Sequence, residues 1–489
     1  MQPKSAYDRV IFGLKVKLLR QKNGMSFLEL SKLSGISVSY LNEIEKGKKF
    51  PKKEKLEMLA KALNTSEELL ESSVLEDQLA PVAQLLKSNF LNELPLDLYG
   101  IDLSKVVEII ANAPVRVGAF ISTLIELSHN HEVKEENFFF VALKNYLELN
   151  HNYFEELEET TSSFIRIHQL KDNQPVSSEN LEIILSTEYD YKIIPGGLGE
   201  FPILCEFRSL FLPLERKFLT NGLLTERQLA FEYGKELGFS VLKLKERSNT
   251  SSIIRPQTFE QVLNHSKAIY FSVALHLPIA SFVRNIQRWL EAPKWDTKLF
   301  WEIYYQYDVS PEMFFHRLTN VLPKFFGMDK MFFIRLVGNP ESDYYQIDRE
   351  LHINVKPQLH ISGSNEHYCR KWLGISSLKE VNKELKINIQ RTKSIVTKEE
   401  YLVISMGSLH RVDGAKKVSV SIGIKMDGNL ENKVKWLSDA ILSEPVLVNN
   451  SCERCGMMDC DKRAAPPRIE QRKQKLHSIL DTLEKLNAG

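Results

Sequence analysis

Three of the five cysteines fall within nine residues, as Cys452-x2-Cys455-x4-Cys460. Two intervening residues let neighbouring sulfurs turn the same way, so one short loop can wrap a single thiophilic metal centre. Zinc would take a fourth ligand in a closed tetrahedral site. A [4Fe–4S] cluster would take four ligands, or three with one iron left to another donor. Cys369, in His367-Tyr-Cys369-Arg-Lys-Trp372, is a candidate fourth ligand, and a buried free thiol is the alternative. Cys205 reads as a core residue. Arg317 could fork onto a phosphate or carboxylate of a ligand, or serve in a structural salt bridge. The third chemical feature is the lysine group Lys46, Lys48, Lys49, Lys52 and Lys53, suited to a polyanion.

The charge supports a basic head on a larger body. Net charge is +1, but residues 1–75 hold 14 Lys/Arg against 9 Asp/Glu, while the rest hold 50 against 54. A length of 489 residues predicts several domains. No apolar run is long enough to cross a bilayer, and no signal-peptide core stands between Lys4, Asp8, Arg9, Lys15 and Lys17. The expectation is a cytoplasmic protein, in which clustered cysteines are ligands or free thiols rather than disulfides.

The elements that must position the lysines are all local. Residues 6–22 predict a helix with Ile11, Leu14 and Leu18 on one face, stopped by Asn23-Gly24. Ser26 and Glu29 form a capping box for a short helix from Phe27 to Leu33. Gly35 supplies the tight turn, and Ser37 caps a third helix to about Glu45. Leu56, Leu59 and Leu63 mark a fourth helix, and Ser66 caps a fifth.

The run Met25 to Pro51 resembles the Cro/cI-like (XRE) helix-turn-helix family. The resemblance implies that the helix from Ser37 enters the major groove of double-stranded DNA. Val38, Ser39, Asn42 and Glu43 then face base edges, Ser37 and Tyr40 belong to the same DNA-binding set, and Lys46, Lys48, Lys49, Lys52 and Lys53 meet phosphates. Phe27 stands where many relatives have a polar residue, usually Gln, so a backbone contact is missing or replaced there.

Residues 76–185 read as a helical linker region, with Asn152 to Glu158 closing one helical stretch. Strand-like stretches follow at 188–194 and 201–207, around the turn Ile193-Ile-Pro-Gly-Gly-Leu-Gly199. Arg227 to Phe239 resembles the active helix of ImmA/IrrE-like metallopeptidases, in which two His at i and i+4 bind zinc and a Glu activates water. Here the frame is Lys235-Glu236-Leu237-Gly238-Phe239, and the family's acidic third ligand falls at His265. Lys and Phe cannot hold zinc as neutral His does, so 186–328 is expected to be a mostly helical, non-catalytic remnant of that fold.

Residues 330–450 alternate in a strand-like way at 331–337, 401–405 and 418–424, with turns at Gly407, Asp413-Gly414 and Asp427-Gly428. They predict a mixed α/β sensor domain of PAS- or GAF-like type within 329–489, closed by a charged helix over 468–489 that carries Leu476, Ile479, Leu483 and Leu486. The fold class expected is therefore a multidomain α+β chain.

Head, degenerate middle and terminal cysteine loop together resemble the short-chain fatty acyl transcriptional regulators. The segment His367-Tyr-Cys369-Arg-Lys-Trp372 resembles that family's Cys-Pro-x-Trp segment, with Arg370 in place of the Pro. The resemblance implies an iron–sulfur cluster on Cys452, Cys455 and Cys460 and an acyl-CoA as the sensed metabolite. Because such heads read two half-sites, a homodimer is expected. The rival expectations are a metallopeptidase that cleaves a partner repressor and a purely redox-sensing repressor.

Overall fold

The computed structural model describes residues 6–72, 135–171, 174–339, 343–355, 366–381, 385–410, 416–439, 442 and 444–488. Most of the linker expected over 76–185, and the Asp413-Gly414 turn, lie outside them. The chain divides into two compact units, Met1–Ala142 with 257–259, and Leu143–Pro256 with Glu260–Gly489.

The first unit's described part holds five short helices: α1 (Ala6–Lys22), α2 (Phe27–Ser34), α3 (Val38–Glu45), α4 (Lys53–Ala62) and α5 (Glu67–Glu71). Their bounds follow the sequence's own stop signals. Ser26 and Glu29 close the capping box on α2, and Gly35 ends it in the left-handed region at φ +65°. The Ser37 side chain accepts from the Tyr40 N–H. Phe12, Val16, Leu30, Leu41, Ile44, Leu56, Leu59 and Leu63 fill one core. Phe12 and Val16 thus carry much of the packing that the sequence assigned to Leu18, which is only half-buried.

In the second unit, α6 (Glu135–Leu149, in this unit from Leu143), α7 (Glu155–Ile167) and α8 (Ser178–Glu188) lead into a three-stranded sheet. Asn152 does not belong to a continuing helix. The chain breaks there, with His151 and Asn152 at positive φ, and α7 starts after Phe154. The sheet order is β1-β3-β2, with β1 (Lys192–Ile194), β2 (Ser209–Leu212) and β3 (Lys217–Thr220). The strand expected over 201–207 is instead a 3-10 turn at Pro202–Leu204, opened by Pro202 and preceded by another at Gly197–Glu200 that follows Gly196 at positive φ. Helix α9 (Glu226–Val241) packs on this layer through Tyr233 and Leu237.

Helices α10 (Phe259–His276), α11 (Ile279–Leu290), α12 (Thr297–Tyr307) and α13 (Pro311–Phe326) follow. The last three share a core with the larger sheet, through Phe282, Trp289, Phe300, Phe314, Phe333, Ile404, Ile422 and Trp436. One core therefore runs across the boundary drawn at 328/329. That sheet has six strands in the order β5-β4-β8-β7-β6-β9: β4 (Met331–Asn339), β5 (Tyr344–Ile353), β6 (Ile387–Ser394), β7 (Glu400–His410), β8 (Lys416–Lys425) and β9 (Val446–Val448). All neighbours are antiparallel except β6 and β9.

Gly407 is not a turn residue. It lies inside β7, where a Cβ would stand 2.6 Å from the Ser377 carbonyl oxygen of α14 (Leu373–Lys379). Asp427 is likewise a cap rather than a turn, accepting from Asn429 and Leu430 at the start of α15 (Gly428–Lys433). The chain ends in α16 (Arg468–Ala488). No single described helix is long and apolar enough to cross a membrane.

Candidate functional sites

Helix α3 presents its outer face as its caps and core require. Leu41 and Ile44 are buried, and this leaves Val38, Ser39 and Asn42 exposed on the other side. Ser37 stands just before the helix as its cap, so its hydroxyl already has an acceptor role inside the turn. Tyr40 is half-buried, with the Lys55 ammonium 4.3 Å from its ring centre. Glu43 pairs with Lys49 at 2.9 Å, which takes two of the expected DNA contacts into a surface ion pair. Lys46 and Lys48 are exposed at the helix end.

Arg20 is a residue that motif reading missed. Its guanidinium forks onto the buried Glu45 carboxylate, donating at 2.6 and 2.9 Å, and so ties the end of α1 to the end of α3. The same guanidinium lies 4.1 Å above the Phe27 ring. Phe27 has therefore exchanged a polar role for packing that braces the two-helix unit. Leu28 and Leu33, both on α2, are strongly exposed at 60% and 63%, which sets an apolar flank beside α3.

In the middle, α9 buries Glu232, Lys235, Glu236 and Phe239 together. Glu236 is fully buried and accepts from both Arg247 amino groups, at 2.5 and 2.8 Å, and from the Tyr191 hydroxyl at 2.7 Å. Arg247 is also stacked 3.8 Å from the Phe239 ring centre. Lys235 donates to Glu232 at 2.6 Å and to the Ser251 carbonyl at 3.0 Å. Burial holds His265 well below the usual imidazole range, and the Lys235 and Arg247 charges add to this. A fixed guanidinium thus neutralises the buried Glu236 carboxylate.

Arg317 is not available to a ligand. It is completely buried, forks onto Glu158, and donates from Nε to the Leu277 carbonyl at 2.9 Å. Tyr270 donates to the same carboxylate at 2.6 Å. The ion pair closes a sequence gap of 159 residues between α7 and α13. A cleft of about 330 Å³ opens beside it, walled by Tyr153, Ile279, Val283 and Phe325, with Glu155, Glu158 and Glu159 in its lining. Its lining holds no Lys or Arg, which leaves the phosphates of a CoA ester without a counter-charge there.

The cysteine loop is held by a second strip of chain. Cys369 N–H donates to the Asn450 carbonyl and Cys452 N–H to the His367 carbonyl. Glu366 takes the Arg454 guanidinium, His367 donates to the buried Glu453, and the Trp372 indole donates to Asn449 O. These contacts bring Cys369 to the neighbourhood of Cys452 and Cys455, and all three are buried, while Cys460 is half-buried. Burial pushes the Cys369 thiol up, and the two neighbouring sulfurs add to the effect. Arg463 holds the loop from inside by donating to the carbonyls of Cys452, Cys455 and Met457. The Ala464 N–H points at the Cys452 sulfur at 3.3 Å. Among the described residues, no three His, Cys, Asp or Glu side chains converge as a formed metal-ligating group. The donor chemistry of the loop suits a thiophilic centre. Cys205, expected in the core, is exposed on the 3-10 turn after Pro202.

Residues 16–70 match the helix-turn-helix family model. The head is a helix-turn-helix domain of the Cro/cI-like type. The chain that carries it is a DNA-binding transcription regulator. Among solved structures, a Mycobacterium tuberculosis transcriptional regulator aligns at 15% identity over 67% of this chain and 93% of its own, with a TM-score of 0.49. The apo form of the competence regulator ComR from Streptococcus vestibularis aligns at 16% identity over 64% and 97%, with a TM-score of 0.13. Neither superposition is close enough to carry a functional argument. No curated protein sequence matches the chain.

Proposed function

We propose that this protein is an effector-responsive regulator of short-chain fatty acyl metabolism, with an acyl-CoA as effector and a [4Fe–4S] cluster in its cysteine loop. The observation that carries the DNA-reading part is the capped helix α3, which exposes Val38, Ser39 and Asn42 and ends in exposed lysines. The neutral polar Ser39 and Asn42 can read base edges, while Lys46 and Lys48 supply sequence-independent attraction. A homodimer would place two such helices on successive half-sites.

The cysteine loop supports the cluster reading by its chemistry. Cys452, Cys455 and Cys460 would be the ligands, with Cys369 as the fourth, and a thiolate-ligated cluster supplies reversible one-electron chemistry when bound. Zinc is the alternative occupant. The acyl-CoA reading rests on the family resemblance, and the acidic cleft beside Glu158 argues against that cleft as its seat.

The middle domain acts as a non-catalytic scaffold in this account. Lys235 and Phe239 stand at the positions of zinc-binding His, and Arg247 occupies the Glu236 carboxylate. For an effector to change DNA affinity, it must bind one arrangement of the chain more tightly than the other.

The test is fluorescence anisotropy of the full chain on a duplex recovered from its own binding sites, across a salt series. Asn42→Ala is expected to weaken that duplex by about 10- to 100-fold and spare a scrambled one, through loss of a base contact. Lys48→Ala is expected to weaken both duplexes alike and flatten the salt slope by about one. Equal behaviour of both variants on both duplexes would refute the assignment of α3.

A further inference from the structure

We infer that α16 is an antiparallel dimerisation arm that pairs with α16 of a second copy of this chain. The inference rests on the homodimer reading above and names the surface that carries it. From Gln471 to Leu486 every residue except the half-buried Asp481 is exposed, so this helix stands clear of its own body. Helices of globular proteins draw most of their stability from packing an apolar face. Such a face is present and bare. Leu476, Ile479, Leu483 and Leu486 are 56%, 47%, 50% and 73% exposed.

Their spacing of 3, 4 and 3 residues is the a/d repeat of a coiled coil, which fits a like helix rather than a flat body surface. Orientation follows from the flanks. Leu480, 49% exposed, takes the e position of that repeat. In a parallel pair it would face Lys475 at g, whereas in an antiparallel pair e meets e and Leu480 lies close to its own copy near the two-fold axis. Charge agrees. Arg468, Arg472, Lys473 and Lys475 outweigh Glu470 in the first half, while Asp481 and Glu484 outweigh Lys485 in the second, so antiparallel pairing sets unlike halves together.

The arm is rooted at the cysteine loop. The Ile469 and Glu470 N–H groups both donate to the Glu453 carbonyl, between Cys452 and Cys455. A change in that loop would therefore move the base of the arm.

Sedimentation velocity of the full chain tests this. The wild type is expected to be dimeric at micromolar concentration. Ile479→Glu with Leu483→Glu touches only exposed positions, and is expected to raise the dimer dissociation constant by at least about 100-fold while tryptophan fluorescence shows the body still folded. Leu480→Glu is expected to weaken the dimer by about tenfold, since the two carboxylates meet. A double-Glu variant that stays dimeric overturns the arm while leaving the dimer reading intact. A wild type that is monomeric overturns both. Tighter association of Leu480→Glu, through Lys475, overturns the antiparallel pairing.

Discussion

Replacing Arg247 by Met removes a charge from the second unit and keeps most of the stem that packs on Phe239 and Phe211. In the native protein the guanidinium contributes two of the hydrogen bonds to Glu236, whose side chain is only 1% exposed. The variant leaves that carboxylate buried with the Tyr191 hydroxyl as donor. A buried ion stripped of its partner costs about 3–5 kcal/mol. At about 2–4 °C per kcal/mol for domains of a few hundred residues, the melting point should fall by about 6–20 °C. Glu236→Gln combined with Arg247→Met removes both charges and should recover most of the loss, since replacing an entire buried pair is often neutral. Thermal unfolding of the full chain by tryptophan fluorescence reads the effect, because Trp289 and Trp436 lie in the core of this unit. An Arg247→Met melt within about 3 °C of the parent, or a double variant that loses the sum of the single losses, would refute the charge-neutralised scaffold.

Acid should destabilise the same unit through its buried histidines. Burial pushes His316 down to about 4 from 6.5, with Glu312 opposing, and lowers His265 and His276 as well. The unfolded chain then binds more protons than the native one below pH 6.5. Stability present above that pH is lost as pH falls toward 4, by up to about 3 kcal/mol for His316 alone. Denaturation midpoints at pH 7 and pH 5 check this, and His316→Phe should flatten the dependence. Anaerobic purification should give a chain with broad absorption at about 400 nm that is lost in Cys452→Ser, Cys455→Ser and Cys460→Ser. A colourless protein with stoichiometric zinc would replace the cluster by the alternative metal.

The parts of this molecule legible in the sequence are those set by nearest neighbours. The Ser26–Glu29 box, the Gly35 turn and the Ser37 cap each act over three or four residues, and α2 and α3 begin where those signals put them. What escaped was set by partners distant in the chain. Arg317 resembles a ligand-binding residue until Glu158 arrives from 159 positions away. Gly407 resembles a turn, because nothing local reveals that α14 presses its carbonyl onto β7. Cys205 looks apolar and buried by type, yet Pro202 bends its segment into an exposed 3-10 turn. Arg247 escaped for a related reason, since no local motif predicts that a residue eleven positions on will fork onto the buried Glu236 carboxylate. In the cysteine loop the spacing was readable, whereas the carbonyl-holding role of Arg463 was not.

The central claim, that α3 reads operator DNA, is tested most directly by selection of bound duplexes from a random double-stranded library with the full chain. Enrichment of one motif repeated as half-sites about 10 base pairs apart, and its loss with Asn42→Ala and Ser39→Ala together, is the predicted result. A library that returns unenriched, or the same motif with both variants, would contradict it.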